Sequence, residues 1–371
     1  MQILHVAGAR PNFMKVAPVM RALKALKETR QTLVHTGQHY DFNMSDIFFQ
    51  DLEIPKPEVN LGVETSSHAG QTAQIMTRLE PYLLQSRPDW VFVYGDVNST
   101  VAAAFTATQL GIAVAHVEAG LRSWDRTMPE EINRVLTDQI SDLLFTPSRE
   151  ADENLKREGM SEEKIHFVGN VMIDTLVSAL PRLRKPALKI PDRFVLVTLH
   201  RPSNVDDPEN LESILATLDE ISRQIPVLFP VHPRTREKMK LLSFDSKRSK
   251  DFLLLNPQSY LEFLYLEQKA ELVITDSGGI QEETTYLGIP CLTFRKNTER
   301  PVTETEGTNR VVGEDARSLG GEVERVLSGR AKKGKIPVLW DGKAAERIAA
   351  VMEKLREKGN QHVRHFGHVR D

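Results

Sequence analysis

Seven segments of this chain end a β-branched or apolar run on a residue able to bind an anion or move a proton. QILHVAG leads to Ala9-Arg10-Pro11, LVHTG to Gln38-His39, VFVYG to Asp96, AVAHV to Glu118, VLVTL to His200-Arg201, VLFPV to His232 and ELVIT to Asp276. Any one of these has a plain explanation, since Asp and His commonly end a strand or cap the next helix. Their recurrence in both halves points to the carboxyl ends of parallel strands, outside which open α/β sheets bind ligands. It also points to one cleft between two facing domains, where pockets prefer to form.

The turn after Asp276 suggests which anion. ELVITD runs into Ser277-Gly278-Gly279 and then IQEETTYLG, so a buried strand turns over two residues without side chains straight into a helix. The first turn of a helix carries unpaired N–H donors and a partial positive charge, and glycine lets phosphate oxygens come close to the backbone. The plain alternative is a tight strand-to-helix turn with no ligand. Ser277 adds a hydroxyl, Glu283 lies one turn further on within reach of ribose hydroxyls, and Arg300 offers a guanidinium to phosphate. A nucleoside diphosphate fits this set.

The first half carries a different chemistry. Arg10 and Lys15 flank the first strand-to-helix turn, and Asp96, Glu118 and Glu130 bring carboxylates from three separate segments. Carboxylates crowded round a sugar push one another's proton affinities apart, so that one site holds a general acid and a general base. Two such groups on opposite faces of a carbon invert it. Glu130 and Glu131 follow Pro129 and have an ordinary role too, because acidic residues favour the first turn of a helix. No Cys-His or Gly-x-Ser-x-Gly arrangement competes.

These residues need a scaffold of alternating strands and helices, and the chain has that rhythm. Strand-like runs QILHVAG, QTLVHTG, DWVFVYGD, AVAHVEAG, DLLFTPS and IHFVGN alternate with segments of helical period, among them one from Met44, one from Ser99 to Leu110 and one opened by Pro129. Leu180 to Asp192, with three prolines and four basic residues, reads as a linker. The rhythm restarts with FVLVTLH, PVLFPVH, FLLLNP, ELVITD and PCLTF. The expected fold is α/β, with two Rossmann-like doubly wound domains over 1–171 and 172–357. The apolar stripe of Ile348, Ala349, Val351, Met352 and Leu355 needs a surface to pack on, and the end of the chain, 358–371, is expected to return to the first domain. The three histidines of QHVRHFGHVRD lack regular spacing and read as a frayed end, not a metal site.

Composition narrows the partners. Hydrophobic residues make up 40% and charged residues 27%, the balance of a soluble globular protein. A formal charge of -3 with both signs interspersed offers no broad field for nucleic acid or a membrane surface. The first residues, MQILHVAGAR, carry no secretory signal, and the single cysteine, Cys291, lies in the apolar run IPCLTF as a small buried side chain. A reducing, cytoplasmic setting and a small-molecule ligand are expected.

The segments GARPNFMK, YGD with HVEAGLRS, MPEEINR, TLHRP and TDSGGIQEE, in that order over nearly the whole chain, resemble the non-hydrolysing UDP-N-acetylglucosamine 2-epimerases. The resemblance implies the two-domain cleft arrangement of GT-B glycosyltransferases, a homodimer, no metal or nicotinamide cofactor, and reversible conversion of UDP-GlcNAc to UDP-ManNAc for surface polysaccharide precursors. It implies loss of UDP from C1 as the C2 proton leaves, a bound 2-acetamidoglucal, and return of UDP after reprotonation on the other face. Carried onto this sequence, it puts Arg10 and Lys15 near phosphates and sugar and makes Asp96, Glu118 and Glu130 the proton-transfer set, their steps unassigned. His200 is implied to stabilise departing UDP, Gln258 and Phe263 to contact uracil, and Ser277, Gly278, Gly279, Glu283 and Arg300 to hold diphosphate and ribose.

One stretch departs from the pattern. QHYDFNMSDIFF stands where bacterial members that bind a second UDP-GlcNAc as activator carry QHR, and the tyrosine form is similar to a branch acting on modified sugars such as UDP-2,3-diacetamido-glucuronate. Such a substrate is one alternative. A GT-B glycosyltransferase is another, opposed by MPEEINR and GARPNFMK. A hydrolysing epimerase is opposed by RPNFMK, and a silent nucleotide-sugar sensor by the full set of carboxylates and basic groups.

Overall fold

In both halves the apolar runs become strands of wholly parallel sheets. A computed structural model of the chain describes residues 1–37, 45–64, 67–242 and 248–357, without the side chains of 45–48 and 234. Gln38, His39, most of the QHYDFNMSDIFF departure and the histidine-containing end lie outside the described residues.

The first seven strands are β1 (Gln2–Ala7), β2 (Arg30–His35), β3 (Val59–Asn60), β4 (Trp90–Tyr94), β5 (Ala113–Val117), β6 (Leu143–Thr146) and β7 (Ile165–Phe167). They form one sheet in the order β3-β2-β1-β4-β5-β6-β7. The second sheet contains β8 (Val195–Thr198), β9 (Val227–Pro230), β10 (Phe252–Leu255), β11 (Leu272–Thr275), β12 (Cys291–Thr293) and β13 (Asn309–Val311), in the order β10-β9-β8-β11-β12-β13. Each is a doubly wound α/β sheet, and each reverses its strand order once: between β1 and β4 in the first, between β8 and β11 in the second. Ligand crevices open at that reversal. The expectation of two Rossmann-like domains holds.

Helices cover both faces, so central strands are buried throughout; all five residues of β4, WVFVY, are buried. Alternate residues of β8 serve opposite layers: Val195 and Val197 join Ile274, Leu215 and Leu218, whereas Leu196 joins Leu228, Val273 and Leu266. The sequence reading missed β3 and β13. At two and three residues, neither carries a period to read.

The chain divides into two compact units, Met1–Ser178 together with the chain from Val338, and Ala179–Pro337. The boundaries expected at 171 and 357 therefore move to 178 and 337. The helix Val171–Ala179 and the helix Ala344–Glu357 belong to the first unit because they bind one another. Asp174 accepts the N–H groups of Ala344 (3.0 Å) and Ala345 (2.7 Å), capping the second helix. Trp340, almost fully buried, donates its indole N–H to Pro147 O at 2.9 Å, and the helix Ala344–Glu357 packs on the helix Arg10–Leu23. The apolar stripe at Ile348 and Met352 finds its surface there. Among the described residues, no helix is long and apolar enough to cross a membrane.

Candidate functional site

The first unit brings its predicted residues to the β1/β4 reversal. β1 ends at Ala7, and the helix Arg10–Leu23 starts after Ala9, whose extended backbone and the following Pro11 set the helix entry. Asn12, in the first turn, holds this junction. Its amide oxygen accepts Ala9 N–H at 3.0 Å, and its Nδ2 donates to Tyr94 O, the last residue of β4, at 2.7 Å. Arg10 is half-buried at the first helical position, and Lys15, one turn on, is buried.

Lys15 forms a buried ion pair with Glu118, which follows β5. Glu118 has a left-handed backbone, φ +74°, a conformation that strains a non-glycine residue by roughly 1–3 kcal/mol. The pair with Lys15 and the bonds from Glu118 N and Ala119 N to Phe145 O, both 3.0 Å, hold it in place. Gly95 lies beside the pair. A Cβ there would stand 2.6 Å from Lys15 Nζ and 3.1 Å from Glu118 Oε2, and its φ is +64°. Only glycine serves both demands.

Asp96 follows Gly95 and is partly exposed. Arg134 Nη1 donates to Asp96 Oδ2 at 2.6 Å, and the same guanidinium bonds Glu131 Oε2 through Nε at 3.1 Å and Nη2 at 2.9 Å. Asn133 Nδ2 donates to Asp96 O at 2.9 Å. The MPEEINR segment thus forms the start of a helix, Pro129–Ile140, that grips the loop after β4. Its two glutamates separate cleanly. Glu131 is buried and structural, accepting Ser123 N–H and Trp124 N–H, each at 2.9 Å. Glu130 is half-buried, with no hydrogen-bond partner among the described residues.

A charged floor lies beneath. His116 places Nδ1 2.7 Å from Asp138 Oδ1 and Nε2 2.8 Å from Gly95 O, so both ring nitrogens face acceptors. Asp138 also accepts Gly120 N–H at 3.1 Å and pairs with Arg122 at 2.7 Å. Burial pushes the Asp138 carboxyl up, but His116 and Arg122 outweigh it and hold the group below the usual carboxylate range. The loops bearing Gly95 and Glu118 rest on this cluster.

The second unit assembles its residues at the β8/β11 reversal. Asp276, fully buried after β11, accepts the backbone N–H of His200 (2.9 Å) and Arg201 (2.8 Å) and the Asn204 Nδ2–H (3.0 Å). His200 Nδ1 lies 2.9 Å from Asp276 Oδ1. A carboxylate can only accept, so Nδ1 donates and the imidazole turns Nε2 away from the sheet. The burial that would raise the Asp276 carboxyl is overcome by these donors, chiefly His200, and it stays ionised below its ordinary range. His200 is about half exposed.

Ser277 precedes the helix Gly278–Leu287, whose first-turn N–H groups lack partners within the helix. Gly278 has a second reason to be glycine. A Cβ there would stand 2.4 Å from Arg300 Nη1 and 2.9 Å from Glu299 Oε1, so the turn seats a guanidinium. Arg300 is 7% exposed, bonds Glu282 Oε1 through Nε at 2.8 Å and pairs with Glu299 through Nη1. Sequence reasoning found Arg300 but not its two carboxylate partners. Glu283 is buried on the same helix and accepts Tyr260 Oη–H at 2.9 Å. Gln258 and the half-buried Phe263 flank the start of the helix Tyr260–Lys269; Gln258 donates to Asn256 O at 2.7 Å, and Phe263 packs on the Phe194–Leu196–Val273 layer. His232 is exposed after β9. Cys291 is buried, its thiol pushed up to about 12 by that burial.

Asn12, Arg134 and the His116–Asp138 pair went unread in the sequence. Arg134 stands three residues after Glu131, the spacing of a helical ion pair, and Asn12 stands three residues after Ala9, the residue before the helix, where a short polar side chain reaches back. Among the described residues, no group of three His, Cys, Asp or Glu side chains is arranged to hold a metal ion.

Known proteins match this chain along nearly its whole length. The sequence model of the UDP-N-acetylglucosamine 2-epimerase family matches residues 21–353. A Methanococcus maripaludis UDP-N-acetylglucosamine 2-epimerase homolog is 47% identical over 328 residues, 86% of this chain and 90% of that one. The UDP-2,3-diacetamido-2,3-dideoxy-D-glucuronate 2-epimerase of Pseudomonas aeruginosa is 43% identical over 359 residues, 96% of this chain and all of its own. A crystal structure of Methanocaldococcus jannaschii UDP-GlcNAc 2-epimerase in complex with UDP-GlcNAc and UDP is 42% identical, with a TM-score of 0.87 over 95% of this chain and 100% of that one. This chain belongs to the UDP-N-acetylglucosamine 2-epimerase family.

Proposed function

We propose that the enzyme inverts C2 of UDP-N-acetylglucosamine, giving UDP-N-acetylmannosamine. The observation that carries the reading is the pair of ion-paired carboxylates at the first sheet's reversal, Glu118 on Lys15 and Asp96 on Arg134, with Glu130 at the start of the Arg134 helix. Two carboxylates fixed by cations and a third half-buried one form a set from which an acid and a base are drawn. One takes the C2 proton as the C1–oxygen bond breaks and UDP leaves with the bonding electrons. A proton then returns to C2 of the 2-acetamidoglucal from the opposite face, and UDP adds back at C1. The second domain holds UDP throughout. The Gly278 helix start, Ser277, Gly279 and Arg300 take the diphosphate, Glu283 the ribose, and Gln258 and Phe263 the uracil. His200, oriented by Asp276, steadies charge on departing UDP, and Arg10 assists at the phosphates.

A second substrate has specific support. The P. aeruginosa relative, matched along its whole length, acts on UDP-2,3-diacetamido-2,3-dideoxy-D-glucuronate, so a C3- and C6-modified sugar is the alternative at the same site. The same reading has the enzyme work in the cytoplasm on surface polysaccharide precursors, as a homodimer; exposed Phe105, Ile132 and Leu136, on the packed helices Asn98–Gln109 and Pro129–Ile140, suit a second copy. Proton NMR in deuterated water tests the chemistry. Deuterium at C2 with UDP still attached is expected from UDP-GlcNAc. Exchange only with the diacetamido-glucuronate moves the assignment to that sugar, and UDP plus free sugar refutes epimerisation with retention of UDP.

A further inference from the structure

Glu267 is a fully buried acid that the proposed chemistry leaves unused. It lies on the helix Tyr260–Lys269, two turns after Tyr260, and this helix packs against the helix Gly278–Leu287 that carries Glu283. Among the described residues, neither Glu267 oxygen meets a hydrogen-bond donor, although both are cut off from water. Its carboxyl is within hydrogen-bonding reach of Glu283, which is also buried and already accepts Tyr260 Oη–H at 2.9 Å. The Cys291 thiol also feels Glu267 and is itself kept neutral by burial.

Two buried carboxylates side by side cannot both stay charged. Tyr260 gives its hydrogen bond to Glu283, which fixes the charge there. The geometry points to Glu267 as a positioning residue whose carboxyl O–H donates to Glu283, locking that carboxylate as the acceptor for the hydroxyls of a nucleotide ribose. Burial, then repulsion from Glu283, moves the Glu267 carboxyl well above the ordinary range, as this role requires. Without this donor, the Glu283 carboxylate loses one of the contacts that set its orientation toward the ribose. The inference rests on the proposed binding of UDP in the second domain.

The test is calorimetric binding of UDP and of 2′,3′-dideoxy-UDP to the full chain carrying Glu267→Gln or Glu267→Leu. Leucine removes the donor without opening a large void, so this variant is expected to fold with a modestly lower Tm, because the buried Glu283 carboxylate loses one donor. Wild type should prefer UDP over the dideoxy analogue by about tenfold, the worth of a charged hydrogen bond. Glu267→Gln, which still donates through Nε2, should keep that preference. Glu267→Leu should bind UDP about tenfold more weakly, bind the analogue unchanged, and lose the discrimination. A leucine variant that discriminates as well as wild type, or a glutamine variant that fails like leucine, overturns the role of Glu267. Failure of the wild type to bind UDP at all overturns the nucleotide reading instead.

Discussion

Asp276 orients His200 from beneath: its Oδ1 stands 2.9 Å from His200 Nδ1, and its other oxygen accepts the His200 backbone N–H at 2.9 Å. One carboxylate therefore fixes both ends of the residue proposed to meet departing UDP. Asp276→Asn breaks that control, because an amide turned to accept from Nδ1 points its NH2 at the backbone donors. The variant is expected to lose about 10²-fold in kcat, the scale of removing one placed charge-stabilising donor. His200→Gln should lose a similar amount. Steady-state kinetics on single and double variants decide it: losses that multiply in the double variant mean the two residues act independently.

Asp96 and Arg134 make the next prediction. Asp96→Asn should abolish C2 deuterium exchange while leaving UDP affinity within about twofold, since UDP is assigned to the other domain. Arg134→Met leaves Asp96 and buried Glu131 without their cation. It should lower exchange and destabilise the first domain by about 3–5 kcal/mol, the cost of an unpaired buried charge. Isotope exchange followed by NMR and titration calorimetry with UDP check both. Collapse of UDP affinity in Asp96→Asn would sink the division of labour.

What the sequence makes legible follows from how far each signal reaches. Strand ends such as Tyr94, Val117 and Thr275 are visible because buried parallel strands are continuous apolar runs, and the polar residue after each run stands out. Glycine turns are visible as well, though Gly278 reads as room for phosphate while its hydrogen faces Arg300. Partnerships across long sequence separations are not visible. Lys15 and Glu118 lie 103 residues apart, and Asp276 and His200 lie 76 apart. No local period encodes such pairs; they arise because the strand order of each sheet brings the ends of β1, β4 and β5, and of β8 and β11, together. The domain boundary at 337 escapes for the same reason, since the helix from Ala344 is capped by Asp174, 170 residues earlier.

Gly278→Ala separates the two reasons for that glycine. The added methyl meets Arg300 Nη1 at 2.4 Å and Cζ at 2.9 Å, so the guanidinium must leave its seat between Glu282 and Glu299. The expected result is a fall in UDP affinity of about tenfold, comparable to Arg300→Met, with little further loss in the double variant. Calorimetry on the two single variants and the double variant makes the comparison. Additive losses would mean that Gly278 serves the phosphate directly and Arg300 acts apart from it.

Asp174 gives stability a pH dependence opposite to that of most carboxylates. Burial raises its carboxyl to about 6, against backbone donors from Ala345 and Ala344 that pull it down and a further upward push from Asp341. The folded value lies above the unfolded one, so the protonated group stabilises the fold. That contribution is fully present below the unfolded value of 3.8 and is lost as pH rises through about 6. Its size is on the order of 3 kcal/mol at most, at about 1.4 kcal/mol for each tenfold change in proton affinity. Asn at 174 still accepts a helix N–H yet never ionises. Relative to wild type, Asp174→Asn should therefore gain stability between about pH 4.5 and about pH 7.5, with the Tm difference moving in its favour by several degrees. Thermal melts of both proteins at the two pH values measure the change. An equal loss of Tm at both would show that the cap alone matters and that burial of the charge is relieved by water.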